Sequence, residues 1–197
     1  MLISFEGIDR SGKTTQARML AEALGEQALL VREPGGTPVA ERIRALVKDA
    51  SLELEPITET LLFGAARAEL VTSVIRPALA AGRIVVCDRY VDSTVAYQGG
   101  ARGLGIDRVE ELNRWITGGL EPSLTFLLEL EPASASGRGA EEDDRFEQEG
   151  EQLQRAVAEA YEQLAARHRE RYVKVNADRA PEEVHRDVLA HVRQRLH

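Results

Sequence analysis

Residues 7–14 read Gly7-Ile8-Asp9-Arg10-Ser11-Gly12-Lys13-Thr14, a fit to G-x-x-x-x-G-K-[ST], and they follow the apolar run Leu2-Ile3-Ser4-Phe5 directly. That order fixes a local structure: a strand delivers the chain, glycines let the backbone wrap an anion, and a helix opens at Lys13. Backbone N–H groups and the positive end of the helix then face phosphate. Lys13 is placed to reach β/γ oxygens and the Thr14 hydroxyl to reach Mg²⁺, so the whole loop, from Gly7 through Ile8, Asp9, Arg10, Ser11 and Gly12 to Thr14, is expected to bind ATP.

What surrounds this loop decides the fold class. Strand-like apolar runs recur at 2–5, 29–31, 84–87, 124–130 and 172–175, with helical patterns between them. Such alternation predicts an α/β protein, a five-stranded parallel sheet flanked by helices. Val39, Ile43 and Leu46 share one helical face after Thr37. Leu61, Ala65, Ala68, Val71, Ile75 and Leu79 form a long apolar stripe with a bend expected near Pro77. The pattern returns at Leu153, Val157, Ala160, Tyr161 and Leu164, and again at Val184, Val188 and Val192. With 197 residues, 43% of them hydrophobic, the chain has enough apolar material for one domain. Only 132–146 lacks periodicity; small residues there precede Glu141-Glu142-Asp143-Asp144. It reads as a surface segment, and in a phosphate-transfer enzyme a lid over about 133–147.

Composition narrows the partners. A net charge of −8 argues against nucleic acid, whose backbone wants a basic face. Lys13, Lys48 and Lys174 are the lysines, and the other basic residues are arginines, which grip small oxyanions bidentately. No apolar run is long enough to cross a membrane and no leader precedes the first strand, so a cytoplasmic protein is expected. Cys87 reads as core filler, and His168, His185, His191 and His197 as surface residues without metal-ligand company.

The run 84–88 is a buried strand ending in a carboxylate, and in phosphate-loop proteins Asp88 would hold Mg²⁺ directly or through water. Arg89 would project from the same strand end, where ligands bind in open α/β sheets. These residues account for an ATP·Mg²⁺ site and leave the phosphate acceptor open.

Further motifs address the acceptor. The stretch 6–16, Arg32-Glu33-Pro34-Gly35-Gly36-Thr37, Phe63-Gly64-Ala65-Ala66-Arg67, the segment from Asp88-Arg89-Tyr90 to Gln98-Gly99-Gly100, Asp144-Arg145-Phe146-Glu147 and Asn176-Ala177-Asp178 together resemble bacterial thymidylate kinases over essentially the whole chain. The resemblance implies a nucleoside monophosphate kinase-like fold with a short lid, transfer of the γ-phosphoryl of ATP to dTMP, Mg²⁺ as cofactor, and a homodimer built from helix faces. Carried over position by position, it implies that Phe63 stacks on thymine and Arg67 donates to a base carbonyl, with Gln98 and Thr94 completing the base edge. Arg44 and Arg89 would hold the dTMP phosphate and Tyr97 would crowd the sugar 2′ position. Asp9 and Glu33 would lie near the monophosphate, its sugar or the metal, Asp9 joining Thr14 and Asp88 as a metal residue. Lys13, Mg²⁺ and one mobile arginine would share the charge on the transferred group, and Arg89 would count with Lys13 and Arg10 as catalytic. Eukaryotic-type members carry that arginine inside the phosphate loop, as Arg10 stands here. Many bacterial members have glycine there and place the arginine in the lid, where this chain has Arg138 and Arg145. Arg10 is the favoured residue. Two rivals stay open: a kinase for another nucleoside or nucleoside monophosphate, and a nucleotide-binding switch without transfer. The switch is disfavoured by the lack of an Asn/Thr-Lys-x-Asp guanine-reading motif.

Overall fold

The computed structural model describes residues 1–135 and 150–196. Five parallel strands, β1 (Leu2–Glu6), β2 (Ala28–Arg32), β3 (Ile84–Asp88), β4 (Leu124–Glu129) and β5 (Tyr172–Asn176), form one sheet in the order β2-β3-β1-β4-β5. Burial follows position. β1 is buried at every residue, and β3 and β4 at all but the last, as near-continuous apolar runs require in a sheet covered on both faces. The edge strands β2 and β5 alternate between covered and uncovered residues.

Alternation along β1 and β3 sorts two cores. Ile3, Phe5, Ile84 and Val86 face one core, closed by Leu20, Val157, Tyr161, Leu164 and Val188. Leu2, Val85 and Cys87 face the other, with Leu70, Val71, Ile75 and Tyr90. Helices α1 (Lys13–Leu24), α8 (Gly150–Arg167) and α9 (Pro181–Leu196) supply the first layer. The second is built around α3 (Pro56–Leu70), a π-helical stretch Val71–Ile75 and α4 (Arg76–Ala80). The bend expected near Pro77 takes this form: the helix changes type just before proline, whose missing N–H leaves a carbonyl one turn back without its usual donor.

α2 (Pro38–Lys48) starts where Thr37 accepts a hydrogen bond from the Ala40 N–H at 3.1 Å, with Pro38 in its first turn. Part of the apolar stripes on α2 and α3 faces outward. Val39 and Leu46 are about half exposed, and so are Ile57 and Leu61 on α3, while Trp115 on α6 (Ile106–Thr117), the next α-helix after the short α5 (Val91–Thr94), is 81% exposed. The buried faces are instead Ala40 and Val47 on α2, and Glu59, Thr60, Gly64, Arg67 and Leu70 on α3. α3 turns polar residues inward because it borders the cleft described below. Pro132–Ala135, expected to be irregular, forms one helical turn, α7. The rest of the expected lid, with Arg138, Arg145 and 141–144, lies outside the described residues.

β1 and β3 are neighbours whose outgoing connections run in opposite directions across the sheet, so the loops after them open a crevice at the carboxyl edge.

Candidate active site

The loop after β1 is shaped by backbone constraints. Gly7 has φ 142°, and a Cβ there would stand 2.7 Å from the Leu128 carbonyl oxygen. Gly12, at φ 93°, is the left-handed N-cap of α1 and gives it no side-chain cap; the first turn of α1 holds no acidic residue. The helix therefore presents a positive end without a competing anion of its own. Arg10 sits at φ 61°, rare for a non-glycine residue and a sign that the loop forces it.

Lys13 is 5% exposed, and its Nζ donates to the Ile8 carbonyl and to Ser11 Oγ. Burial and neighbouring Arg89 pull its pKa down to about 7, against the carboxylates of Asp9, Asp88 and Glu6. Thr14 Oγ1 donates to Asp88 Oδ2 at 2.6 Å, so the end of β3 meets the first turn of α1. A hydroxyl and a carboxylate at one point, with the Asp9 carboxylate in the same cleft, form an all-oxygen donor set that fits Mg²⁺.

Arg89 follows Asp88 in a left-handed conformation, φ 68°. Its guanidinium donates to the Asp9 carboxylate, to Ser93 Oγ at 3.1 Å and to the Tyr97 hydroxyl at 3.3 Å, with the Tyr97 ring 5.2 Å beneath. Burial works against charge on Asp9, but Arg89 and Lys13 outweigh it and hold the carboxyl below its usual range. Gln154 on α8 closes the ring: its Nε2 donates to Asp9 Oδ2 at 2.7 Å and its Oε1 accepts from the Asp9 N–H at 2.9 Å.

A cleft of about 450 Å³ runs from Lys13 and Thr14 to Arg67 and Gln98. It is lined by every residue expected to meet the acceptor: Asp9, Glu33, Arg44, Phe63, Arg67, Arg89, Thr94, Tyr97 and Gln98. Arg10 and Asp88 line it too. Gly7, Ile8 and Ser11 shape the loop without lining the cleft. Arg44 Nη1 is anchored on the Pro34 carbonyl at 3.1 Å, and Phe63 is half-buried on the wall.

The inner end is held by buried bonds. Arg67, 1% exposed, donates from Nε to Glu33 Oε2 at 2.7 Å, from Nη1 to Asn113 Oδ1 at 2.7 Å, and from Nη2 to Thr94 Oγ1 at 2.8 Å. Burial pushes the Glu33 carboxyl up while the Arg67 guanidinium opposes it. Gln98 Nε2 donates to Glu59 Oε1 at 2.6 Å.

Several of these supporting residues escaped sequence reading. Glu6, wholly buried at the end of β1, accepts from the Tyr90 N–H at 2.8 Å, from Ser93 Oγ at 2.6 Å and from the Tyr161 hydroxyl at 2.9 Å. Burial, with Asp92 adding to it, lifts its pKa to about 7. Ser93 in turn touches Arg89, so Glu6 bears on that arginine from behind. A charged residue inside an apolar strand run was the available signal, since unpaired burial of one is costly. Asn113, Glu59 and Gln154 gave none, for their partners lie far along the chain. Among the described residues no His/Cys/Asp/Glu cluster of metal-ligand type occurs.

A glycine loop opening a helix beside a strand-end carboxylate, in one cleft with an arginine-lined inner end, fits the phosphate-loop nucleoside monophosphate kinase class. The thymidylate kinase family model matches residues 5–188. The chain is 43% identical to the thymidylate kinase of Chlorobium chlorochromatii over 212 aligned residues, covering 100% of this chain and 96% of that one. It is 46% identical to that of Symbiobacterium thermophilum, covering 95% and 90%. The crystal structure of thymidylate kinase from Ehrlichia chaffeensis superposes with a TM-score of 0.81 at 32% identity, covering 98% of each chain. The chain belongs to the thymidylate kinase family. It is a phosphotransferase that phosphorylates dTMP with ATP as donor.

Proposed function

We propose that the cleft performs this transfer with the triphosphate on the 7–14 loop and dTMP in the inner pocket. The observation that carries the reading is the continuity of one cleft from Lys13 and Thr14 to Arg67 and Gln98. Phosphoryl transfer asks for alignment and charge neutralisation more than for a strong base. Lys13 and the loop N–H groups hold the donor phosphates, Arg44 and Arg89 the acceptor phosphate, and Arg10 meets the charge that builds on the transferred group. Phe63 stacks on the base, Arg67 and Gln98 read its edge beside Thr94, and Tyr97 crowds the sugar. Glu33 serves this end by balancing the charge of Arg67. Thr14, Asp88 and Asp9 would hold Mg²⁺, which supplies neutralisation of phosphate charge when bound. Asp9 also keeps Arg89 aimed at the junction between the two substrates.

The exposed stripes support a homodimer. Val39 and Leu46 on α2, Ile57 and Leu61 on α3, and Trp115 on α6 belong to helices that pack side by side, and a second copy would cover them. We take the enzyme to act in the cytoplasm, where ATP and a nucleoside monophosphate would both be available.

Coupled ADP-release assays across dTMP, dUMP, UMP, CMP and AMP test the reading, with dTMP expected to give the highest kcat/KM. EDTA or Lys13→Ala should abolish turnover without moving the melting temperature, because Lys13 bonds only within its own loop. Substantial turnover in Lys13→Ala would remove the donor site from 7–14, and a preference for another monophosphate would reassign the inner pocket.

A further inference from the structure

We infer that Glu59 is a positioning residue for base discrimination: it fixes the direction in which the Gln98 amide faces the cleft, and so selects thymine or uracil over cytosine. The inference rests on the reading of Gln98 as a base contact and adds to it a residue outside the cleft wall.

Glu59 stands in the first turn of α3 and is wholly buried. Arg102, just past the π-helical stretch Val95–Ala101, donates to it from Nε at 3.3 Å and from Nη2 at 3.2 Å. A carboxylate paired with a guanidinium can only accept hydrogen bonds. Gln98, 2% exposed and 2.6 Å away, must therefore turn its NH₂ toward Glu59. A half-turn of the amide would set two acceptors against each other in a site shielded from water, leaving both unsatisfied. The direction is thus imposed by chemistry.

The consequence lies at the other end of the amide. Oε1 takes no hydrogen bond from the described residues, and Gln98 lines the cleft, so the atom offered to a ligand there is an acceptor. Thymine and uracil carry N–H at N3 and match it. Cytosine carries a lone pair at N3 and an amino group beside it, the inverse pattern, which a reversed amide would fit. Arg67, a donor in any setting, is held in place by Glu33 and suits a carbonyl beside N3. Two buried carboxylates thus act on two neighbours: Glu59, behind the pocket wall, sets the polarity of Gln98, and Glu33, in the wall, fixes the position of Arg67.

The test compares dTMP and dCMP as acceptors in Glu59→Gln, Glu59→Met and Gln98→Ala, with thermal melts to confirm folding. In Glu59→Gln the new amide can donate as well as accept, so Gln98 is released to reverse. The expected result is a KM for dTMP raised about tenfold, a kcat at saturation within about twofold, and a dTMP-to-dCMP ratio of kcat/KM reduced tenfold or more, as loss of one directed hydrogen bond predicts. Glu59→Met should lower the ratio likewise. If both Glu59 variants keep the ratio while Gln98→Ala collapses it, Glu59 only fills space and the inference fails alone. If Gln98→Ala also keeps it, the base reading fails with it. A second measurement needs no variant: the N3-methyl analogue of dTMP, which keeps both carbonyls but has no N3 N–H to donate, should bind the unaltered enzyme at least tenfold more weakly than dTMP. Equal binding would overturn the acceptor assignment.

Discussion

The two ends of the cleft are built to different rules. At the base end, Arg67 and Gln98 are almost wholly buried, and their donors are tied to protein acceptors, Glu33, Asn113, Thr94 and Glu59. At the phosphate end, the Arg89 and Asp9 side chains are about a fifth exposed, Arg10 is half-buried and Thr14 is exposed. The chemistry of the two targets explains this. A flat, neutral base is told apart by the direction of a few hydrogen bonds, and direction survives only in side chains that cannot turn. A phosphate is recognised by charge, which acts from many angles. Damage to the base end should therefore unsettle the fold as well as affinity, and damage to the exposed groups of the phosphate end should fall on turnover.

The largest effect is expected at Arg10. Arg10→Gly should lower kcat by roughly 10³-fold or more with little change in either KM, the range seen for arginines that act in the transition state. Glycine accepts the φ of 61° without strain, so the melting temperature should hold or rise. A loss below tenfold would hand the role to Arg138 or Arg145 and leave the phosphate end with fewer transition-state contacts than supposed.

Next comes Arg67→Ala, which breaks a buried ion pair and strands Glu33. Denaturant unfolding should show a loss of about 3–5 kcal/mol, and KM for dTMP should rise by the equivalent of about 1.5–3 kcal/mol, with KM for ATP unmoved. The double variant Glu33→Gln/Arg67→Met should recover stability without recovering KM. If Arg67→Ala proves as stable as the parent, the contrast between the two ends disappears.

The smallest effect concerns Glu6, behind the phosphate end, and depends on pH. A carboxyl whose pKa is higher in the fold than in the unfolded chain binds its proton better when folded. Its contribution is complete below about pH 4.5 and is lost as pH rises through about 7. Burial drives this, with Asp92 adding to it, while Ser93, Arg89 and Tyr161 oppose it. The stability difference between parent and Glu6→Gln should shift against the parent across that window, by at most about 3 kcal/mol. Parallel curves from pH 4.5 to 7.5 would show that Glu6 is ionised throughout.

How far the sequence foretold all this differs between the same two ends. The phosphate end is nearly contiguous in the chain: 7–14 is one turn, and Asp88-Arg89 is one strand end. Local rules for glycine, helix starts and strand ends therefore reach it, and each strand was located to within a residue or two. The base end is assembled from α3, α6 and the stretch around 94–98, so Asn113 and Glu59 carry no local mark of their use. The apolar stripes on α2 and α3 show a related limit. Periodicity shows that a face is apolar, and Val39, Leu46 and Leu61 are, but it does not say whether the chain itself or something else covers that face. Gln154 meets Asp9 across 145 residues, a distance no pattern spans.

The left-handed turn at Arg89 has a consequence for how compactly a sequence can write an active site. Along an extended strand, neighbours point to opposite faces, so two side chains aimed the same way must be two positions apart. Here Asp88 and Arg89 are adjacent yet line the same cleft, one against Thr14 and the other against Asp9. The positive φ cancels the alternation for one step and lets a carboxylate and a guanidinium share a single exit from the sheet. Transplanting this Asp-Arg pair to another strand end would carry over the letters but not the function, unless the backbone there could be bent the same way.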